Sequence, residues 1–137
     1  MFDVFSEINW IAIIVATLIY FVLGAAWFTP LFGKAYDKGT GVERSSKQRW
    51  PAIYYYGPFL SSLVVTLSTA VLLYALDIQK LSDALLLGIV VGTALASISI
   101  SNAIAPNMPR PVLYGVVVGS YHLVSVCVVA VLLTTFG

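Results

Sequence analysis

The most unusual chemical group in this sequence is the imidazole of His122, the only histidine in the chain. It lies in a long apolar segment without charged residues, and such a group inside a membrane would suit a proton relay, a ligand contact or a metal ligand. The alternative is a neutral imidazole that hydrogen-bonds a neighbouring helix. The sequence favours that alternative, because no carboxylate lies in any apolar segment to pair with His122.

A row of polar side chains is the second candidate. Thr93, Ser97 and Ser101 recur every fourth residue, which places them on one stripe of a helix, and Asn102 adds an amide beside them. Such a stripe could line a narrow aqueous path or bind a polar solute. Equally, these hydroxyls could bond carbonyls of their own helix or of a partner helix. Together with His122, these four residues are the candidate pathway or ligand residues.

Small residues at four-residue spacing are the third feature. They are Gly88, Gly92 and Ala96 in one apolar segment, and Gly115 and Gly119 in the next. Small residues at this spacing allow the backbones of membrane helices to approach closely. The pattern predicts helix packing, either within the chain or at a homo-oligomer interface. Because His122 follows Gly119 by three residues, we expect it on the same face, directed at a neighbouring helix.

Other chemistries lack their motifs. The chain has one cysteine, Cys127, and shows no paired Cys/His spacing, no glycine-rich phosphate loop and no Ser/His/Asp set. We therefore expect no enzyme, no metal site and no cofactor. The one basic segment is short and adjoins apolar sequence, so anionic membrane lipid explains it better than nucleic acid does.

The elements that carry these residues follow from the distribution of charge. The chain is 60% hydrophobic and 9% charged, whereas about a quarter of the residues of a soluble domain are charged. Residues 8–33, 50–76, 84–109 and 111–137 contain no Asp, Glu, Lys or Arg. Each run exceeds the roughly 20 residues that cross a bilayer as a helix, and none alternates as barrel strands do. The sequence predicts an all-α membrane protein, a single four-transmembrane-helix bundle over 1–137.

The predicted helices cover approximately 8–29, 52–76, 84–105 and 112–136. Pro30 is expected to stop the first and Pro106 the third, because the residue before proline disfavours the helical conformation. Between the first two lies a basic loop, 31–50, in which Gly39 and Gly41 are expected to break up any long helix. We expect Trp10, Trp27, Trp50 and Lys34 to anchor the chain at the membrane interfaces.

Lysine and arginine also predict an orientation. Six of the seven lie in loop 31–50 or at Arg110, on one side of the membrane, and only Lys80 lies on the other. Because cytoplasmic loops are enriched in these residues, we expect the basic loop in the cytoplasm and both termini outside.

Two stretches carry a family resemblance. Asn9-Trp10, followed by Gly24-Ala25-Ala26-Trp27-Phe28-Thr29-Pro30-Leu31-Phe32-Gly33-Lys34-Ala35-Tyr36, resembles the DUF1761 family of small bacterial membrane proteins, with Phe28, Thr29 and Tyr36 as mild departures. Tyr121-His122-Leu123-Val124 resembles the last helix of that family more loosely. The resemblance implies four spans in a bacterial inner membrane. It supplies no activity, cofactor or catalytic residue.

Two functions are compatible with these observations. The first is a small homo-oligomeric transporter- or channel-type protein for an ion or small solute, motivated by the hydroxyl stripe and the histidine near the membrane midplane. The alternative is a non-transporting membrane module that binds lipid or a partner membrane protein, motivated by the aromatic residues and the basic loop.

Overall fold

A computed structural model of the chain describes residues 3–44, 50–104 and 108–137. Of these residues, 84% are helical and none lies in a strand. Four helical segments within the described ranges are long and apolar enough to cross a membrane: Trp10–Leu31, Ile53–Ala75, Leu81–Ile104 and Pro111–Phe136. The prediction of an all-α membrane protein with four spans is therefore confirmed.

The elements follow one another with short connections. They are α1 (Val4–Glu7), α2 (Trp10–Ala26), a π-helical turn (Trp27–Leu31), α3 (Gly33–Thr40), α4 (Ile53–Ala75), α5 (Leu81–Ile104) and α6 (Pro111–Phe136). The third span begins at Leu81, three residues before the predicted position. Pro106, which was expected to end that span, lies outside the described residues, as do Lys47 and Arg49 of the basic loop.

The first span does not stop at Pro30 as predicted. The helix widens into the π-helical turn and continues to Leu31, and the backbone N–H of Phe32 donates to the carbonyl of Trp27 at 2.8 Å. Proline removes one backbone donor and crowds the preceding turn. A π-helical turn accommodates this because its bonds span five residues rather than four.

The described part of the basic loop after this turn forms one short helix, α3, which ends before Gly41. Gly39 lies inside α3 and does not break it. A Cβ at residue 39 would come within 3.0 Å of the Cα of Tyr114, so the glycine serves the close contact between α3 and α6. Gly41, with φ of 75°, ends α3 in the left-handed conformation that glycine adopts readily.

Arg44 ties this segment to the first span. Its Nε donates to the carboxylate of Asp37 at 2.6 Å, and its Nη2 donates to the carbonyl of Phe28 at 2.5 Å. The guanidinium also stacks over the ring of Tyr36, 4.7 Å from its centroid. These contacts hold α3 against the π-helical turn through one planar, multidentate cation.

The most extensive helix contact joins α5 to α6. Built onto the backbone, a Cβ at Gly115 would lie 2.6 Å from the Cα of Ile100, and one at Gly92 would lie 2.7 Å from the Cα of Leu123. Cβ positions at Gly88 and Gly119 would be similarly crowded, by Cys127 and Ala96. The small residues therefore pack α5 on α6 within the chain, which is the first of the two roles predicted for them.

The other helices surround α6. α2, α4 and α6 contact one another, whereas α5 touches α4 at only a few points and lies at the edge of the bundle. A hydrophobic core forms where the inward faces of α2, α4 and α6 meet. It includes Ile13, Ala70, Val126, Val129 and Leu133.

Candidate functional site

His122 is bonded to the first span. Its Nδ1 lies 2.6 Å from the hydroxyl of Tyr20, a short hydrogen bond between α6 and α2. Tyr20 is almost completely buried, at 1% exposure, and His122 is half-buried. The hydroxyl donates when Nδ1 is the unprotonated nitrogen of a neutral imidazole, and it accepts when Nδ1 carries a proton. Either tautomer of the neutral imidazole therefore satisfies the hydrogen bond to Tyr20.

Both members of the pair lie near the middle of their spans. Tyr20 is ten residues from Trp10 and eleven from Leu31, and His122 is eleven residues from Pro111. At about 1.5 Å per residue, each is roughly 15 Å from the nearer end of its helix, close to the depth of the bilayer centre.

Tyr121 completes the arrangement. Its hydroxyl donates to the backbone carbonyl of Tyr20 at 3.1 Å, and its ring packs edge-on against the ring of Tyr20. The rings of Tyr121 and His122 are 4.8 Å apart. The adjacent residues Tyr121 and His122 of α6 thus both bond to Tyr20 of α2, and these contacts restrict the orientation of the imidazole.

His122 is directed at a neighbouring helix, but its face on α6 differs from the prediction. The sequence placed it on the face that carries the glycines; those glycines face α5, whereas His122 bonds to α2. A histidine side chain can reach sideways from the edge of a packed face, so its spacing from Gly119 does not define which helix it meets.

Buried hydroxyls also occur on the three helices that pack together around the core. We use the name polar seam for Thr17, Tyr20, Ser62, Thr66, Thr69, His122 and Ser125, which lie on α2, α4 and α6. The hydroxyls of Thr17, Ser62 and Thr69 donate to carbonyls four residues earlier in their own helices, each at 2.8 Å. Those of Thr66 and Ser125, both at 0% exposure, find no hydrogen-bond partner among the described residues. Unpaired buried hydroxyls are uncommon, so Thr66 and Ser125 are the members of the seam with unused hydrogen-bonding capacity.

The predicted hydroxyl stripe is elsewhere. Thr93, Ser97 and Ser101 are exposed on the outer side of α5, and Asn102 is exposed as well. The structure therefore does not bring these four residues together with His122 inside one bundle. Because spacing defines a stripe but not the direction it faces, only the packing of α5 on α6 decides that it points outward.

The predicted interface anchors play unequal parts. Trp27 is half-buried, and its Nε1 donates to the carbonyl of Val117 at 3.0 Å, so it joins α6 to the first span. Trp10 and Lys34 are exposed. Trp50 is half-buried and packs edge-on against Tyr54. Asn9, from the motif around Trp10, accepts from the N–H of Ala12 and caps α2.

An aromatic series connects α3 to the Tyr20–His122 pair. The ring of Phe28 lies 5.1 Å from the ring of Tyr36 on one side and 5.1 Å from that of Tyr121 on the other. Burial raises the pKa of Tyr36; the nearby Tyr114 adds to the rise and Arg44 opposes it. Tyr36 therefore stays neutral at physiological pH. The series gives a continuous set of contacts from the basic side of the protein to its middle.

Two concave surfaces lie near the opposite end. A pocket of about 150 Å³, here the terminal pocket, is bordered by the polar residues Glu7, Asn9, Tyr74, Gln79 and Thr134. Ile13, Ala70 and Leu73 form its apolar lining toward the core. A groove of about 260 Å³ between α2 and α6 is almost entirely apolar and includes Val15, Leu132 and Phe136.

Sequence reasoning missed Tyr20 and the hydroxyls of α2 and α4 as candidates. Tyr20 could have been noticed as a polar group in the centre of an otherwise apolar span. Its partner could not, because the two residues are 102 positions apart. In the described part of the chain, no cluster of three His, Cys, Asp or Glu residues could hold a metal ion.

Comparison with known proteins gives one match. Residues 11–134 match the family model described as a protein of unknown function, DUF1761. No curated protein and no solved structure matches the chain. Because the match covers nearly the whole chain, including almost all of α2 and α6 and the Tyr20–His122 pair, the chain belongs to the DUF1761 family.

Proposed function

We propose that this protein is a small homo-oligomeric transporter- or channel-type protein that moves an ion or a small polar solute across the membrane. The observation that carries this proposal is the Tyr20–His122 hydrogen bond at the middle of the spans. Ionisable groups at this depth are energetically costly and typically mark ion or substrate pathways.

The surroundings of the pair support a pathway. Thr66 and Ser125 supply hydroxyls that are free to bond a passing solute or water molecule. Hydroxyls that bond their own helix, such as Thr69, can still accept a further hydrogen bond. The interior of the bundle thus contains more polar groups than helix packing requires. Burying each of them costs free energy, and this cost supports a functional role for them.

The terminal pocket is a natural entrance to the polar seam. Ala70, part of its apolar lining, directly follows Thr69 of the seam, and Ile13 precedes Thr17 by one helical turn. Ile13 and Leu73, which line the pocket on the side of the core, are buried. Passage would require these side chains to move, so the structure corresponds to a closed state in the proposal.

Transport in liposomes tests the proposal. Purified protein is reconstituted, and the fluxes of protons, alkali cations, halides and small neutral solutes are compared with those of empty liposomes. We expect flux of at least one of them. Tyr20→Phe and His122→Ala should each lower it about tenfold, the effect of losing one hydrogen bond of roughly 1.4 kcal/mol.

The matched control is Tyr55→Phe, which also removes one hydroxyl but at an exposed position outside both the seam and the terminal pocket. It should leave the flux within about twofold of wild type, since a solvated hydroxyl contributes little. Absence of flux for every solute, or equal flux for all four proteins, would contradict the proposal.

The apolar groove favours a second candidate function, a non-transporting module that binds lipid. Its lining by Val15, Leu132 and Phe136 suits an acyl chain better than a polar solute. Lipid that copurifies in a fixed ratio and is lost on Val15→Trp, together with inactivity in the liposome assay, would favour this function over transport.

A further inference from the structure

α5 presents a polar face that no other part of the described chain covers. Its inner side packs on α6 through Gly88, Gly92 and Ala96, and it barely touches α4. Thr93, Ser97 and Ser101 lie on the outer side and are exposed. Among the described residues, no hydrogen bond is seen to the hydroxyls of Thr93 and Ser97, whereas Ser99 bonds the carbonyl of Leu95.

The hydroxyls form a narrow strip on this outer face. Ala94 is exposed beside Thr93 and Ser97, and the larger side chains of Val90 and Ile98 flank a strip of small residues about 12 Å long between Thr93 and Ser101. Membrane helices associate through such surfaces, because small residues allow close approach and hydroxyls bond across the contact. Facing lipid, the same hydroxyls would have no external partner at all.

We infer that the outer face of α5 is the contact between two copies of this chain. Each hydroxyl both donates and accepts, so a row of hydroxyls is complementary to itself when two copies meet across a twofold axis. This row contains no charged residue, so its partner does not need to carry the opposite charge. The small residues that the sequence offered for an oligomer are already used between α5 and α6, which leaves this face for the second copy.

The inference names the partner in the proposed homo-oligomer but does not depend on transport. The Tyr20–His122 pair joins α6 to α2 and includes no residue of α5. Dimerisation through α5 therefore leaves the polar seam inside each subunit.

Single-cysteine crosslinking in native membranes tests the contact. Cys127→Ala removes the single native thiol, and Thr93→Cys and Ser97→Cys are introduced separately in that background. Oxidation should convert most of each variant into a species of twice the 14.8 kDa chain mass. Val64→Cys is the matched control, because Val64 is exposed at the middle of α4, at a depth comparable with Thr93.

Crosslinking of Thr93→Cys and Ser97→Cys, with Val64→Cys remaining monomeric, is the expected result. Equal crosslinking at all three positions, no crosslinking at the two α5 positions, or a product whose mass includes a different protein would overturn the inference. Each outcome is read from protein mass alone, so it is independent of whether the protein moves a solute.

A second variant separates the contact from the fold. Ser97→Leu places a bulky side chain on the outer face without altering the α5–α6 packing. It should shift the protein toward monomer in detergent, measured by light scattering, while helical circular dichroism is unchanged. A stable Ser97→Leu dimer would argue against this face.

Discussion

At the scale of single residues, the Tyr20–His122 hydrogen bond is the clearest deviation from a generic apolar bundle. Two polar side chains meet near the middle of the membrane, and Tyr121 holds both of them in place through its hydroxyl and its ring. When such a bond breaks inside a membrane, no water molecule replaces the lost partner of the buried polar group. The hydrogen bond therefore stabilises the bundle.

Tyr20→Phe should lower the stability of the bundle by about 1 kcal/mol, because the imidazole loses its partner while the ring packing is retained. Reversible unfolding in mixed detergent micelles measures the change, with Tyr74→Phe as the control at an exposed hydroxyl. An unchanged free energy of unfolding for Tyr20→Phe would show that the bond contributes nothing to the fold.

At the scale of elements, the contact between α5 and α6 depends on glycine at positions where the two backbones nearly touch. Each of Gly92 and Gly115 leaves less than 3 Å for an added Cβ. Packing of this kind replaces the hydrophobic drive that soluble helices have, since lipid is as apolar as the helix surface. With little contact to α4, α5 is held to the bundle chiefly by this one interface.

Gly115→Ala should destabilise the protein by about 1–3 kcal/mol, because the new methyl group overlaps the backbone at Ile100 and the helices must separate. The same unfolding assay measures it. Gly57→Ala is the control: no atom lies within 4 Å of its added Cβ apart from the adjoining chain. The higher helix propensity of alanine and the crowding by Pro58 act in opposite directions there, so the change should stay below about 1 kcal/mol. Equal effects at both positions would contradict the packing argument.

At the scale of the whole molecule, charge is divided between the two ends of the bundle. The chain termini are left out of these sums. One end of the bundle has a net charge of −3, from Asp3, Glu7, Asp77, Asp83 and Lys80. Six lysines and arginines outnumber Asp37 and Glu43 at the other, a net charge of +4, and the two sums give the overall +1. Since cytoplasmic loops are enriched in Lys and Arg, the count of six against one leads us to expect the basic end in the cytoplasm and the terminal pocket outside.

Cysteine accessibility in intact cells checks this orientation. In the Cys127→Ala background, Gln79→Cys should react with a membrane-impermeant maleimide, and Glu43→Cys should react only after the cells are permeabilised. Both residues are exposed, and Glu43 avoids disturbing Gly41, whose surroundings are filled by Pro109. The reverse labelling pattern would place the basic end outside.

By itself, the sequence determined the class of the protein and the number of its spans. Charge-free runs of 26 or 27 residues leave few alternatives in a bilayer, because every backbone polar group must be bonded within its own helix. Membership in DUF1761 also follows from local motifs, which match without reference to contacts. These properties depend on the composition and on the order of neighbouring residues, and both can be read directly from the sequence.

Only the tertiary structure decided which faces meet. Residues 93, 97 and 101 form a stripe in any helix, but the packing of α5 on α6 turns that stripe outward and leaves the interior to Thr66 and Ser125. His122 bonds to Tyr20 rather than following the glycines toward α5. The spans are nearly apolar all round, so periodicity carries little information about the buried side. Contacts between distant segments, made by close backbone approach, supply that information instead.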